Sequence, residues 1–300
     1  MKSLDRRSFL LATAGGLTAL SAVAPAPTRV SDGKPFKKAV KIGMVREGNS
    51  LREKFQLLKD LGYDAVEMDS PNNLTLEEVL EAKETSGLPI HGVVDSVHWG
   101  KPLSHPDPTV RAEGLAGLIT ALKDAKAYGA TSVLLVPAVV NKDISYGDAY
   151  RRSQEMIRKA LPLATELNIQ IAFENVWNNF LLSPVEMARY IDEFDSPLVG
   201  CYFDVGNIVR YGWPTHWVEE LKHRVFKLDM KGYSRKLQNE QGPWAGFKVE
   251  LDEGDCDWSD VRARLLTQGF NSYATAEVSG GDRARLADIL ARMNRVLPNP

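Results

Sequence analysis

An α/β barrel of eight parallel strands, each followed by a helix, is the fold this sequence predicts. Three observations predict it. Strand-like and helix-like stretches alternate from about residue 41 to the C-terminus with little between them, the pattern of a parallel sheet covered by helices. Four of the later strands carry an acid at or near their C-terminal ends, which is where a (β/α)8 TIM barrel builds its active site. No Gly-x-Gly-x-x-Gly loop follows the first strand, so a doubly wound sheet is the weaker reading.

Taken in order, Lys41-Ile-Gly-Met-Val45 reads as the first strand, and Ser50 caps a helix that runs to Leu61 and closes at Gly62. Ala65–Asp69 is the second strand. Thr75-Leu-Glu-Glu78 opens the next helix as a capping box, and Gly87 ends it. Pro89–Asp95 is the third strand, followed by a long helix from Pro108 to Tyr128. Ser132–Pro137 is the fourth, followed by a helix from Tyr146 to Leu167. The fifth, Gln170-Ile-Ala-Phe-Glu174, is apolar enough to be covered on both faces. The last three are Val199–Asp204, Val225–Asp229 and Tyr273–Glu277, with helices near 183–194, 214–222, 258–267 and 281–295.

Side chains alternate along a strand. Lys227, Asp229 and Lys231 therefore share one face of the seventh strand and Phe226, Leu228 and Met230 the other. Tyr273, Thr275 and Glu277 oppose Ala274, Ala276 and Val278, and Glu67 and Asp69 oppose Val66 and Met68. The apolar sets suit the helices, so the polar sets point into the barrel. A structural ion pair such as Glu67 with Lys227 is the plainer account of some of them.

The 300 residues fit one such domain, and 37 basic against 39 acidic residues give no basic footprint for nucleic acid. Cys201 and Cys256 form neither a disulfide framework nor a thiolate metal site. Arg6-Arg7-Ser8-Phe9-Leu10, a modest apolar stretch and the small residues Ala22-Val23-Ala24 predict a twin-arginine signal over 1–24 and export, with the periplasm as the expected compartment. Residues 25–38 read as a linker and 39–300 as the barrel. The apolar stretch is too short for a stable membrane span.

A desolvated carboxylate needs a partner, and four at the ends of four strands call for a cation. Glu174, Asp204, Asp229 and Glu277 form an all-oxygen set suited to a hard divalent ion, Mn²⁺ or Mg²⁺ ahead of Co²⁺ and Zn²⁺. The competing reading pairs some of them with Lys227, Lys231, Arg235 or Arg283. Trp99, Trp177, Trp213 and Trp244 all follow strands on the same face, and flat indoles with an N–H suit sugars.

The runs Glu174-Asn-Val-Trp-Asn-Asn-Phe-Leu-Leu-Ser-Pro184, Glu186-Met-Ala-Arg-Tyr-Ile-Asp-Glu-Phe194, Tyr202-Phe-Asp-Val-Gly-Asn207 and His98-Trp99 with Pro102-Leu103-Ser104 resemble the sugar-phosphate isomerase/epimerase branch of the xylose isomerase-like TIM barrels. That resemblance implies a divalent metal held by Glu174, Asp204, Asp229 and Glu277. It also implies that the two glutamates move a proton beside a sugar carbonyl. Asp229 departs from the histidine usual there, and Gly232 stands where an aspartate is frequent. His98, Trp99, Trp177, Asn207, Lys231 and Arg283 form the expected substrate-binding set. The expected partner is a small sugar, with self-association left open. Export argues for an unphosphorylated sugar. The reactions in view are epimerisation or isomerisation through an enediolate, β-elimination from a 3-keto-glycoside, and, last, sugar binding without catalysis.

Overall fold

The computed structural model describes residues 33–299. The export signal expected at 1–24, and 25–32 of the expected linker, lie outside the described residues. Eight parallel strands, β1 (Phe36–Lys41), β2 (Ala65–Ser70), β3 (Ile90–Asp95), β4 (Ser132–Leu135), β5 (Gln170–Glu174), β6 (Val199–Asp204), β7 (Val225–Met230) and β8 (Ser272–Ala276), close in sequence order into one barrel. Around it run α1 (Leu51–Leu61), α2 (Leu76–Ser86), α3 (Pro108–Tyr128), α4 (Tyr146–Leu167), α5 (Pro184–Asp192), α6 (Val205–Val209), α7 (Pro214–Leu221), α8 (Arg235–Gln241), α9 (Trp258–Thr267) and α10 (Arg283–Val296). No helix among the described residues is long and apolar enough to cross a membrane.

The helix starts follow from local chemistry. Ser50 accepts from the Glu53 amide, Thr75 and Glu78 complete a reciprocal capping box, and Gly62 closes α1 at φ 92°. Val40, Met68, Val93, Leu135, Phe173, Phe203, Met230 and Ala276 fill the layer between strands and helices. A small apolar plug of Leu134, Ala172 and Tyr202 sits inside the barrel.

The first strand differs from expectation. It starts at Phe36, pairs with β8 from Phe36↔Ser272 to Val40↔Ala276, and gives way to a 3₁₀ turn at Ile42. A Lys-Lys pair looks like linker, yet the buried Lys38 ammonium donates to the carbonyls of Phe36 (2.9 Å) and Leu297 (2.7 Å). Lys41 therefore ends the strand instead of beginning it.

Two β-bulges break the simple alternation. At one, Val66↔Ile90 is followed by Glu67↔Gly92, which leaves His91 as the extra residue. At the other, Cys201↔Val225 is followed by Tyr202↔Lys227, which leaves Phe226. His91 consequently turns into the barrel, stacking on Tyr273 at 4.3 Å, with Nε2 3.1 Å from Thr275 Oγ1. Phe226 packs against Gly200 within the inner plug instead of facing the helices with Leu228 and Met230. Lys227 donates to the His91 carbonyl, so an exclusive pairing with Glu67 is not what holds it. Asp69, at the open end of β2, is exposed.

Candidate active site

Glu174 and Asp204 end β5 and β6, Asp229 lies one residue before the end of β7, and Glu277 lies one past β8. The register Asp204↔Asp229, and the Glu277 amide donating to Met230 O at 3.0 Å, bring the four to one end of the barrel. Each offers an oxygen within 4.8 Å of the others. Asp204 also caps α6, its Oδ1 accepting from the Asn207 amide at 2.8 Å. The Asn175 side chain clamps the Asp204 backbone from both sides, donating to its carbonyl (2.7 Å) and accepting from its amide (2.9 Å).

Two lysines enter the ring. Lys41 Nζ lies 2.9 Å from Asp229 Oδ2 and 2.7 Å from Glu277 Oε1. Lys231 Nζ lies 2.7 Å from Asp204 Oδ2 and beside Glu277 Oε2, both ion-pair contacts without hydrogen-bond geometry. Burial raises the Glu277 pKa, but Lys41 and then Lys231 overrule it and hold the group well below the usual carboxylate range. The Glu174 side chain makes no hydrogen bond or ion pair among the described residues. Burial first, and Glu277 second, raise it to about 8. Burial raises Asp204 to about 6 against the pull of Lys231. Asp229 is raised by burial and by the neighbouring acids, with Lys41 opposing. Burial works against the Lys41 ammonium, and Asp229, Glu277 and Glu174 overcome it, so it stays charged.

Three of the acids divide their oxygens in the same way. Asp204 Oδ1, Asp229 Oδ2 and Glu277 Oε1 are each held by a protein donor. Asp204 Oδ2, Asp229 Oδ1 and Glu277 Oε2 are buried without a hydrogen-bond partner. Buried acceptors without a partner are rare; Asp229 Oδ1 is one, the other two face only the Lys231 ammonium, and all three converge beside the uncommitted Glu174. This donor set fits a hard divalent cation.

A cavity of about 720 Å³ opens over the ring, its lining including the aromatic residues Trp99, Trp177, Trp244 and Phe247 and the polar residues Lys248, Glu250, Ser279 and Arg285. Glu174 and Glu277 line it, while Asp204 and Asp229 do not. Trp99 and Trp177 stand where the sequence placed them, and the Trp177 N–H donates to Asn207 O at 2.9 Å. Asn207 lines the cavity but spends an amide hydrogen on Asn175 O at 3.0 Å. Lys231 lines it too, tied to the acids. His98 is buried, its Nδ1 accepting from the Val136 amide at 3.3 Å, so the proton belongs on Nε2. Burial, then Lys41, lowers His98 to about 3 and keeps it neutral.

Three residues expected at the substrate face do not line the cavity: His98, Arg283 and Trp213. Arg283 faces away, its guanidinium 3.8 Å from Glu47 and 3.7 Å from Asp60, and it does not line the cavity. Trp213 also lies outside, with Arg235 over its ring at 4.8 Å and His216 beside it. Sequence reasoning missed Lys41, Phe247 and Arg285. Only Lys41 carried a signal, a basic residue at the open end of a strand, and the shifted first strand hid it. Gly232 admits no side chain, because a Cβ there would come within 2.1 Å of Glu250 O.

Residues 55–296 match the family described as Xylose isomerase-like TIM barrel. The chain belongs to that family. Among curated relatives, this xylose isomerase-like barrel is 26% identical over 173 residues to L-ribulose-5-phosphate 3-epimerase of Escherichia coli (strain K12), an alignment taking in 54% of this chain and 61% of the relative. The enzyme of that name from Escherichia coli O1:K1 is 24% identical over 172 residues, with the same coverage. In solved structures, the fold resembles D-psicose 3-epimerase crystallised in the presence of D-fructose, with a TM-score of 0.70, 15% identity, and coverage of 87% of this chain and 99% of that one. The 3-keto-D-glucoside 4-epimerase of E. coli gives a TM-score of 0.71 at 16% identity, with the same coverage.

Proposed function

We propose that this barrel is a divalent-metal-dependent sugar isomerase or epimerase that works through an enediolate on an unphosphorylated ketose or keto-sugar derivative. One observation carries the reading: Glu174, Asp204, Asp229 and Glu277 each bring an oxygen within 4.8 Å of the others at the open end of the barrel, and Asp229 Oδ1 is buried there without any partner. Glu174, Asp204, Asp229 and Glu277 would hold the ion, Mn²⁺ or Mg²⁺ first and Co²⁺ third. When bound, the ion supplies Lewis-acid polarisation of the sugar carbonyl and stabilises developing negative charge.

The proton work falls to the two acids that reach the cavity. Glu277, kept ionised by Lys41 and Lys231, removes the proton from the carbon beside the carbonyl. Glu174, the other acid that reaches the cavity, is its acid/base partner at the opposite face, and the roles exchange in the reverse direction. Lys41 holds Glu277 Oε1 in place for that transfer. The aromatic wall orients the sugar and excludes water.

Two further observations bear on the substrate. The cavity's Arg285 is engaged by Glu250 (2.9 Å) and Asp288 (3.0 Å), and Lys231 by the acid ring, which disfavours a phosphate ligand. The twin-arginine pattern adds export as folded protein to the proposal, consistent with a metal loaded before transport. Proton NMR in D₂O with Mn²⁺, against ketoses and 3-keto-glucosides with a chelated control, tests the function. Deuterium entering beside the carbonyl of an intact isomer is the expected result. Release of the anomeric substituent makes the enzyme a lyase, and absence of metal-dependent exchange on every sugar refutes the reading. Glu174→Gln and Glu277→Gln should each cost about 10²–10⁴ in turnover while the protein stays folded.

A further inference from the structure

Inside the barrel lie polar atoms that no protein group satisfies. Glu67 and Ser132 are 1% and 0% exposed, and neither Glu67 oxygen nor Ser132 Oγ has a hydrogen-bond partner among the described residues. Buried polar atoms normally have one. The bulge that leaves His91 as the extra residue of β3 pairs Glu67 with Gly92, and Gly92 turns the place of its missing side chain into the barrel. A Cβ built there would stand 2.8 Å from Glu67 Oε1, 3.2 Å from Lys227 Nζ and 3.4 Å from Ser132 Oγ. Polar atoms from β2, β7 and β4 therefore close on one notch without touching one another. Glu67 Oε1 and Lys227 Nζ share it, yet no hydrogen bond or ion pair joins them.

The chemistry of the notch selects its occupant. Lys227 donates to the His91 carbonyl and lies over the Tyr273 ring at 5.6 Å, and an ammonium has three N–H groups, so a donor remains for the notch. Glu67 Oε1 offers an acceptor, and the Ser132 hydroxyl serves as either. The occupant must therefore both accept and donate. A cation would face the Lys227 nitrogen and an anion the Glu67 oxygen. The pair carries no net charge even when a proton passes between its members, so neither kind of ion is favoured. A buried water makes about three hydrogen bonds, and the notch offers a donor, an acceptor and a hydroxyl.

We propose that one ordered water molecule is built into the barrel at Gly92, bridging Glu67 Oε1, Lys227 Nζ and Ser132 Oγ. It accepts from Lys227, donates to Glu67 and completes its bonding with Ser132. The bridge matches Glu67 to Lys227 without direct contact. That leaves Lys41, the neighbour of Glu67 across β1 and β2, for Asp229 and Glu277. Gly92 is required because any side chain there would take the water's place. The site is independent of the reaction at the open mouth.

High-resolution crystallography of the full chain, in chelator and with Mn²⁺, tests the site directly. Oxygen-17 relaxation dispersion of the solvent counts long-lived internal waters in solution. The expected density is a single water peak within about 2.7–3.2 Å of Glu67 Oε1, Lys227 Nζ and Ser132 Oγ. Gly92→Ala, whose Cβ fills the notch, should lose one long-lived water from the count. Ser132→Ala, which adds no bulk and removes one partner, should shorten the water's residence about two- to tenfold. Direct contact between Glu67 and Lys227 in the crystal overturns the proposal, as does a peak whose anomalous signal or bond lengths mark an ion. So does a water count that Gly92→Ala leaves unchanged, or a residence that Ser132→Ala leaves unchanged. Should Gly92→Ala fail to fold, the wild-type density and the Ser132→Ala residence decide the matter between them.

Discussion

Replacing Lys41 by methionine removes the one ammonium that Asp229 and Glu277 share, at 2.9 and 2.7 Å. Asp229 is fully buried, and methionine keeps the apolar stem of the lysine without its charge. Breaking a buried ion pair from one side costs about 3–5 kcal/mol, because the remaining charge is left without compensation. In a domain of this size each kcal/mol lowers Tm by about 2–4 °C, so the variant should melt roughly 6–20 °C below wild type in chelator. The loss should depend on pH in a defined direction. Burial and neighbouring acids already raise the Asp229 pKa, with Lys41 opposing, so removing Lys41 raises it further. Asp229 then escapes the penalty by taking up a proton as pH falls. The deficit is therefore largest at pH 8 and shrinks toward pH 5, and Mn²⁺ should restore more stability to the variant than to wild type. Calorimetric melts of both proteins at three pH values, with and without metal, read all of this. A variant as stable as wild type at pH 8 in chelator would show that the Lys41 ammonium does not offset the buried acids.

Three other outcomes follow from the geometry. Because Glu174 is raised to about 8, a cation binding there at neutral pH displaces its proton. Apparent Mn²⁺ affinity should then rise with pH by about tenfold per unit for each proton displaced, the Glu174 share levelling off above about 8 and Asp229 adding its own, with proton release visible by titration calorimetry in buffers of different ionisation enthalpy. Gly92→Ala should lower stability by about 1–3 kcal/mol in urea, since its Cβ would meet Glu67 Oε1 at 2.8 Å and Lys227 Nζ at 3.2 Å. Arg283→Ala should leave activity unchanged and move stability by no more than about 0.5 kcal/mol, while Arg285→Ala, at the cavity wall, should change the KM for sugar.

The elements that announced themselves did so through periodicity and capping. The acids at the ends of β5 to β8 sit where strand alternation puts them, and Thr75 with Glu78 marks the start of α2. What escaped lay where one physical rule was overridden by another. Lys37 and Lys38 look like linker because a lysine normally seeks water, yet two backbone carbonyls accept from the buried Lys38. The bulges at His91 and Phe226 leave no mark in a pattern of period two, since they add one residue to one strand only. Arg283 is near Glu277 in sequence, but two positions along α10 turn the side chain by about 200°. Arg285, and not Arg283, therefore reaches the cavity. Trp213 and Trp244 were equally plausible rim residues. The 3₁₀ turn that delivers Trp244 has no periodic signature long enough to be read.

Asp229 in place of the expected histidine and Lys41 at the end of β1 make sense only together. A neutral imidazole at that position would leave three acids, and an aspartate adds a fourth negative charge in a fully buried place. Lys41 contacts Asp229 directly and cancels the addition, while Lys231 offsets a second acid. Four carboxylates against two ammonium groups leave two negative charges, which one divalent cation neutralises, as do two protons. The raised pKa values of Glu174 and Asp229 are the proton version of that balance. A Lys41→Met, Asp229→His double variant should therefore keep more stability and more Mn²⁺ affinity than Lys41→Met alone, because it removes the surplus charge together with its counter-ion. Additive losses in that cycle would mean that the two positions are independent and that the aspartate serves some purpose other than pairing with Lys41.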